Sequence, residues 1–134
     1  MLLNLGTEEK GAFLYGICNV VGSSIARETH TGIYTHAGSE IGVASTKAFS
    51  CQISLLLLMA LNLGQKLGTL DQKRYSRIIQ ELEKLPEIIK TVLKSNPIVE
   101  SISEKYLDAK NFLYLGRGYH FPIALEGALK LKEI

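Results

Sequence analysis

The chain has 134 residues, and its 15 Lys and Arg against 13 Asp and Glu give a formal net charge of +2. With 46% hydrophobic and 21% charged residues, the composition is that of an ordinary globular domain and excludes extensive intrinsic disorder. The Lys and Arg residues form no stripe interleaved with aromatic residues, so nucleic acid is not an expected partner.

Cysteine usage and hydropathy indicate a reduced, cytoplasmic protein. Cys18 and Cys51 each lie in an apolar stretch with no second Cys or His at ligand spacing, which predicts buried thiols rather than a metal site or a nucleophile. Residues 1–5 are too short an apolar run for a signal peptide. The most apolar run, residues 53–61, is about half as long as a bilayer span requires, so we expect a buried helix and no membrane.

The first third of the chain predicts two strands. Residues 2–11 resemble the tail of a helix, and the apolar run 12–18 is typical of a strand buried on both faces of a parallel sheet. A turn at 20–24 precedes a second short strand at 32–35.

A long helix follows at residues 44–63. It is apolar almost all round, and Ser45 or a neighbour is available as its cap. Gly64, Gly68 and Asp71 then separate it from a different kind of helix.

The next segment predicts amphipathic helices. Its apolar stripe alternates spacings of four and three residues, through Ile78, Leu82, Leu85, Ile89 and Val92. Pro86 lies within the stripe and predicts a kink or a break there. Asn96 and Pro97 open a further helix over about residues 98–109.

A third strand is predicted at residues 111–115, ended by a glycine turn, and Pro122 suits the first turn of a last helix. Strand, glycine turn and helix in this order form half of a parallel α/β unit, so the predicted fold class is α/β with a parallel sheet flanked by helices. About three strands are visible, and no stop signal precedes Ile134. We therefore expect a segment of a larger α/β protein.

The last helix holds the most informative polar cluster. Glu126, Lys130 and Glu133 stand at i, i+4 and i+7, which places them on one face. Near the carboxyl end of a strand, two carboxylates and an ammonium could perform acid–base chemistry. An ordinary surface Glu–Lys pair explains the same spacing, and spacing alone favours it.

Other motifs leave alternatives open. Gly116-Arg117-Gly118 is either a tight turn or a close approach to a ligand, and it lacks the third glycine of a dinucleotide fingerprint. Gly22-Ser23-Ser24 is more simply a turn than a phosphate site. Residues 37–47 form either a helix cap or a backbone surface for a ligand. His30, His36 and His120 are too scattered to predict a metal site.

Three blocks make the sequence specific: GICNVVGSS at 16–24 with Arg27-Glu28-Thr29, EIGVASTKAF at 40–49, and GRGYHFPIALEGALKLKEI at 116–134. In this order they resemble the isomerase half of the glutamine–fructose-6-phosphate aminotransferases, also called glucosamine-6-phosphate synthases. The likeness covers essentially the whole chain and is least distinctive over residues 70–94.

The resemblance implies a domain organisation. Members of this family carry a glutaminase domain followed by two sugar-isomerase (SIS) domains, each a doubly wound parallel sheet flanked by helices. Residues 1–68 would then be the C-terminal part of the first SIS domain. Residues 69–94 would be a helical connection, and residues 95–134 would begin the second SIS domain.

The resemblance also implies a reaction. Ammonia from the glutaminase domain of the same chain is passed to fructose 6-phosphate, and an enediol-type or enolamine intermediate gives glucosamine 6-phosphate without a metal or organic cofactor. Glu133 matches the carboxylate that moves the proton between C1 and C2, with Lys130 and Glu126 beside it. Val43 and Ser45 match positions that line the sugar pocket. A homo-oligomer is expected.

Several family features are expected outside this chain. The S-x-S-G-x-T phosphate loop should precede Met1, and the ring-opening histidine and tail lysine should follow Ile134. Gly22-Ser23-Ser24 and Cys18 do not replace the phosphate loop and the glutaminase cysteine. His30 stands where an acidic residue is common, and Ser39 where Pro or Thr is common. We therefore expect the 134 residues alone to be inactive.

Two other classes of function stay open at this point. One is a non-catalytic SIS module that binds a sugar phosphate and regulates a partner, or a simple sugar-phosphate isomerase. The other is a truncated product without activity. Glu133 separates the enzyme from the non-catalytic module, because a sensor needs no proton-transferring carboxylate there.

Overall fold

The computed structural model describes residues 11–134, so most of the predicted helical tail at 2–11 lies outside the described residues. The elements, in chain order, are β1 Tyr15–Cys18, α1 Ser24–Glu28, β2 Thr31–Tyr34, α2 Lys47–Lys66, α3 Gln72–Glu83, α4 Leu85–Leu93, α5 Asn96–Lys105 and α6 His120–Glu133.

The first two strands pair in parallel, as predicted. Tyr15 stands opposite Thr31, and Gly16 stands opposite Gly32. A Cβ atom on Gly32 would lie 3.2 Å from the carbonyl carbon of Gly16 and would overlap its oxygen. The glycine pair therefore lets the two backbones meet without a side chain between them.

A short helix, α1, connects the two strands, and the sequence analysis missed it. Ser23 caps it, because its Oγ accepts a hydrogen bond from the backbone N–H of Ala26 at 3.3 Å. The guanidinium of Arg27 donates to the carbonyl of Gly22. The turn at Gly22-Ser23-Ser24 thus starts a five-residue helix, and five residues are too few for a hydrophobic period to be recognised.

The long helix α2 begins and ends three residues later than predicted. Gly68 ends it with a φ of +68°, and the N–H of Thr69 reaches back to the carbonyl of Gly64 at 2.9 Å. The N–H of Gly68 donates to the carbonyl of Gln65 at 3.2 Å. This pattern of bonds is a Schellman motif, which glycine adopts without steric cost.

The expectation that α2 is buried is wrong for this structure. Ala48 and Leu61 are buried, whereas Ile53, Leu56 and Leu63 are exposed. The described residues do not supply enough surface to cover a helix that is apolar on most sides. By length and composition alone α2 could cross a membrane, but the core helix of a soluble protein passes the same test.

Helices α3 and α4 confirm the predicted break at Pro86. Asp71 caps α3 by accepting the N–H of Arg74 at 2.8 Å. Lys84 separates the two helices, and Pro86 occupies the first turn of α4, where no intrahelical N–H is required of it.

The third predicted strand is wrong: residues 111–115 are irregular, and α5 ends at Lys105 rather than near residue 109. A strand forms only beside a neighbour that binds its backbone, and no described residue pairs with this segment. The segment lies along α6 instead. A Cβ on Gly127 would lie 3.0 Å from the ring of Tyr114.

The chain divides into two compact units. One ends at Met59 and includes Glu133 and Ile134, and the other spans Ala60–Lys132. The boundaries predicted at residues 68 and 94 stay predictions. Cys18 is buried and Cys51 half-buried, and neither forms a disulfide.

Candidate functional site

Asn19, directly after β1, fixes the segment that follows β2. Its Oδ1 accepts from the Thr35 hydroxyl at 2.7 Å and from the N–H of Ala37 at 2.9 Å. Its Nδ2 donates to the carbonyl of Gly38 at 2.6 Å. One amide side chain thus satisfies three polar groups of the segment at residues 35–38. Sequence reasoning missed this residue, and an asparagine immediately after an apolar strand was the available signal.

Glu40 organises the start of α2. One carboxylate oxygen accepts from the N–H of Ala48 and from the hydroxyl of Ser45, each at 3.2 Å. The ammonium of Lys47 donates to the carbonyl of Ser39 at 2.7 Å. The predicted cap is therefore corrected, because Glu40 rather than Ser45 accepts the helical N–H.

The same contacts lower the pKa of Glu40 below its ordinary value of 4.5. The N–H of Ala48 contributes most, and hydrogen bonds from the Ser45 hydroxyl and the Thr46 backbone, with the charge of Lys47, add to it. The carboxylate is thus held in its ionised form at the positive end of a helix.

The two predicted sugar-binding residues lie on this segment. Val43 is 91% exposed, and Ser45 is half-buried with its hydroxyl on Glu40. Gly42 and Ala44 flank Val43, so little side-chain bulk shields the backbone there.

The three predicted catalytic residues lie on α6. Glu126 and Lys130 form an ion pair with 3.2 Å between carboxylate oxygen and ammonium, and their side chains are only 24% and 21% exposed. Glu133 follows three residues later, at the end of the helix. By contrast, the Glu81–Lys84 pair on the surface is about 60% exposed on both sides. The α6 pair is therefore not an ordinary surface pair.

A glycine turn positions α6. A Cβ on Gly116 would lie 2.6 Å from the carbonyl carbon of His120, and Gly118 adopts a φ of +58°. The N–H of His120 donates to the carbonyl of Arg117 at 3.2 Å. Of the two roles left open for this motif, the turn is the one that these contacts support.

The histidines do not form a metal site in the described part of the chain, where no group of three His, Cys, Asp or Glu converges. His30 has a structural partner, since its Nδ1 accepts the N–H of Leu14 at 3.0 Å. Its ring stacks on Phe13 with centroids 5.4 Å apart.

Three surface depressions avoid the predicted site residues. The first, about 570 Å³, has Lys73, Arg74 and Arg77 along the start of α3. The second, about 140 Å³, lies against β1 and β2. The third, about 340 Å³, lies between α5 and the segment at 112–114.

Comparison with known proteins shows that the chain is similar to an SIS domain and to aminotransferases. The SIS domain model matches residues 2–62. Glutamine–fructose-6-phosphate aminotransferase [isomerizing] from Bacteroides thetaiotaomicron is 55% identical over 127 residues, which cover 95% of this chain and 21% of the relative. The enzyme of the same name from Chlorobaculum tepidum is 54% identical, over 95% of this chain and 20% of the relative.

A solved structure gives the same result. The C-terminal domain of glucosamine-fructose-6-phosphate aminotransferase from Francisella tularensis superposes with a TM-score of 0.86 at 41% identity, over 90% of this chain and 34% of that one. The chain thus spans about a fifth of the length of the curated relatives it matches. By sequence and by fold, the chain is therefore similar to a segment of glutamine–fructose-6-phosphate aminotransferases, and residues 2–62 match the SIS domain.

Proposed function

We propose that this chain supplies part of the sugar site of an isomerising aminotransferase, which makes glucosamine 6-phosphate from fructose 6-phosphate and glutamine-derived ammonia. The observation that carries the proposal is the Glu126–Lys130 pair, largely shielded from solvent on the helix that also bears Glu133. The names of the relatives support the reaction.

The proposed chemistry is a proton transfer. Glu133 takes a proton from one of the carbons C1 and C2 and returns it to the other, as a carboxylate general base and then acid. The ammonium of Lys130 stabilises the negative charge that develops on the intermediate. Glu126 holds Lys130 in place through the 3.2 Å ion pair.

Val43 and Ser45 line the sugar pocket in this proposal. The backbone around Val43 is open to a ligand, and the segment is held by Asn19 and Glu40. The reaction needs no metal or organic cofactor.

The remaining partners follow from the same proposal. Ammonia comes from a glutaminase domain of the same polypeptide, and the enzyme acts in the cytoplasm as a homo-oligomer. The exposed apolar residues of α2 support a further covering surface, because soluble proteins rarely leave large apolar patches in water.

The test is Glu133→Gln in the full-length enzyme. We expect glucosamine 6-phosphate formation to fall by at least about 100-fold, the scale of a general acid–base contribution, while fructose 6-phosphate still binds. Glutamine hydrolysis should persist, which shows that the protein is folded. Glu100→Gln, an exposed carboxylate on α5, is the matched control. Unchanged product formation in Glu133→Gln would instead support a regulatory sugar-phosphate module.

A further inference from the structure

We propose that Glu40 is a positioning residue that fixes the hydroxyl of Ser45 as a hydrogen-bond acceptor toward the substrate, so that Ser45 contacts a sugar hydroxyl and not the phosphate. This inference rests on the proposed function, in which Ser45 lines the sugar pocket.

The first step is the direction of one hydrogen bond. The Ser45 Oγ lies 3.2 Å from a carboxylate oxygen of Glu40. An ionised carboxylate only accepts, so the single hydroxyl proton of Ser45 must point to Glu40. What Ser45 then offers a ligand is its oxygen lone pairs.

The second step is that Glu40 is itself held in place. The oxygen that binds Ser45 also accepts the N–H of Ala48, in the first turn of the 20-residue helix α2. The ammonium of Lys47 donates to the carbonyl of Ser39, next to Glu40 in the chain. The lowered pKa of Glu40 agrees with an acceptor that stays ionised at neutral pH.

The third step concerns which substrate group fits. Phosphate oxygens need donors, and a serine whose proton is committed elsewhere has none to give. The positive end of α2 would ordinarily attract a phosphate, but the carboxylate of Glu40 already occupies it and repels a second anion. A sugar hydroxyl can donate to Ser45, so it is the group that this arrangement selects.

The test compares variants of the full-length enzyme. Glu40→Met removes the acceptor and frees the Ser45 proton, so we expect the KM for fructose 6-phosphate to rise about three- to tenfold, the value of one hydrogen bond. Glu40→Gln keeps a carbonyl oxygen at the same position and should restore KM to within about twofold. Glu28→Met, an exposed carboxylate in the same unit, is the control and should leave KM unchanged.

A double-mutant cycle separates positioning from helix capping. In a Ser45→Ala background, Glu40→Met should no longer change KM, because its effect passes through the missing hydroxyl. Its effect on the melting temperature should persist there, because the Ala48 contact does not involve Ser45. If Glu40→Met does not fold, Glu40→Asp keeps the charge at the helix start but withdraws the acceptor by one methylene, and it should raise KM similarly.

Inorganic phosphate, used as a competitive inhibitor, identifies the substrate group. Its inhibition constant should be unchanged in Ser45→Ala and Glu40→Met, whereas a weaker inhibition would overturn the assignment to a sugar hydroxyl. A KM effect of Glu40→Met that survives in the Ser45→Ala background would overturn the positioning role. A Ser45→Ala enzyme with an unchanged KM would instead refute the proposed sugar-binding role of Ser45 itself.

Discussion

Single side chains do much of the positioning in this structure, through contacts to backbone groups that no ladder satisfies. Asn19 binds three groups of the segment after β2, and Glu40 binds the first turn of α2. Three of these contacts join positions 8 to 19 residues apart and have a backbone group as partner, and the fourth joins Asn19 to the hydroxyl of Thr35. A pattern of apolar residues contains no sign of such bonds.

The lowered pKa of Glu40 predicts a pH-dependent contribution to stability. Because the pKa of Glu40 is lower in the folded than in the unfolded protein, the ionised carboxylate stabilises the fold at pH values above 4.5, the ordinary pKa of a glutamate. That contribution is lost as the pH falls through the lowered folded pKa. We therefore expect Glu40→Met to melt at a lower temperature than the wild type at pH 7.

The measurement is the thermal midpoint of both proteins from pH 7 to pH 3. The difference between them should shrink toward the acid end, since only the wild type loses a charged contact there. The exposed Glu28→Met serves as the control. If the difference in thermal midpoint grew as the pH fell, the ionised carboxylate of Glu40 would not be the stabilising group.

His30 provides a second residue-scale prediction. Its backbone N–H donates to the carbonyl of Leu14 at 3.1 Å, and its Nδ1 accepts the N–H of Leu14 in return. His30→Leu removes that acceptor and should lower the free energy of unfolding by about 1 kcal/mol. His30→Asn places an oxygen near the position of Nδ1 and should preserve most of the stability. Denaturant unfolding of both variants checks this, and equal losses would show that the ring packing on Phe13 matters more than the acceptor.

At the scale of elements, the Gly116 turn links local geometry to the candidate catalytic helix. Gly116→Ala would force a methyl group to 2.6 Å from the carbonyl carbon of His120, so the first turn of α6 must move. We expect a loss of about 1–3 kcal/mol in the free energy of unfolding, as for other overpacked sites.

Gly42→Ala is the matched control, because its nearest atom would lie 3.8 Å from the new methyl group. The denaturant concentrations at which Gly116→Ala and Gly42→Ala are half unfolded give the difference in stability between the two variants. Similar stabilities would mean that α6 adjusts to the methyl group without cost. A larger loss for Gly116→Ala would confirm the close approach.

Among the helices and strands, those fixed by residues close together in the chain are the ones that the sequence predicts well. The break at Pro86 depends on residues within one helical turn and is confirmed. The glycines after residue 63 mark the end of α2 only approximately, because the helix continues to Lys66 before Gly68 ends it. The irregular segment at 111–115 differs, because its strand-like composition cannot form a ladder without a neighbouring strand. The short helix α1 was missed because it depends on a serine cap rather than on a hydrophobic period.

For the whole molecule, we predict that the isolated 134-residue chain makes no glucosamine 6-phosphate from fructose 6-phosphate and ammonia. It spans about a fifth of the relatives, and much of the apolar surface of α2 is exposed. Assay of the purified chain, beside the full-length Bacteroides thetaiotaomicron enzyme, checks this. Sustained product formation by the chain alone would contradict it.

The sequence by itself indicated the resemblance to the aminotransferases, the parallel α/β class, the order of the longer helices and the site candidates, because motifs and hydrophobic periods are local properties. Tertiary structure decided the features that depend on distant residues. It showed that the Glu126–Lys130 pair is shielded from solvent, whereas spacing alone favoured an ordinary surface pair. It also showed that the carboxylate of Glu40 accepts a hydrogen bond from the hydroxyl of Ser45. Burial and hydrogen-bond direction arise only when the chain has folded, and these properties decide which polar side chains can take part in chemistry.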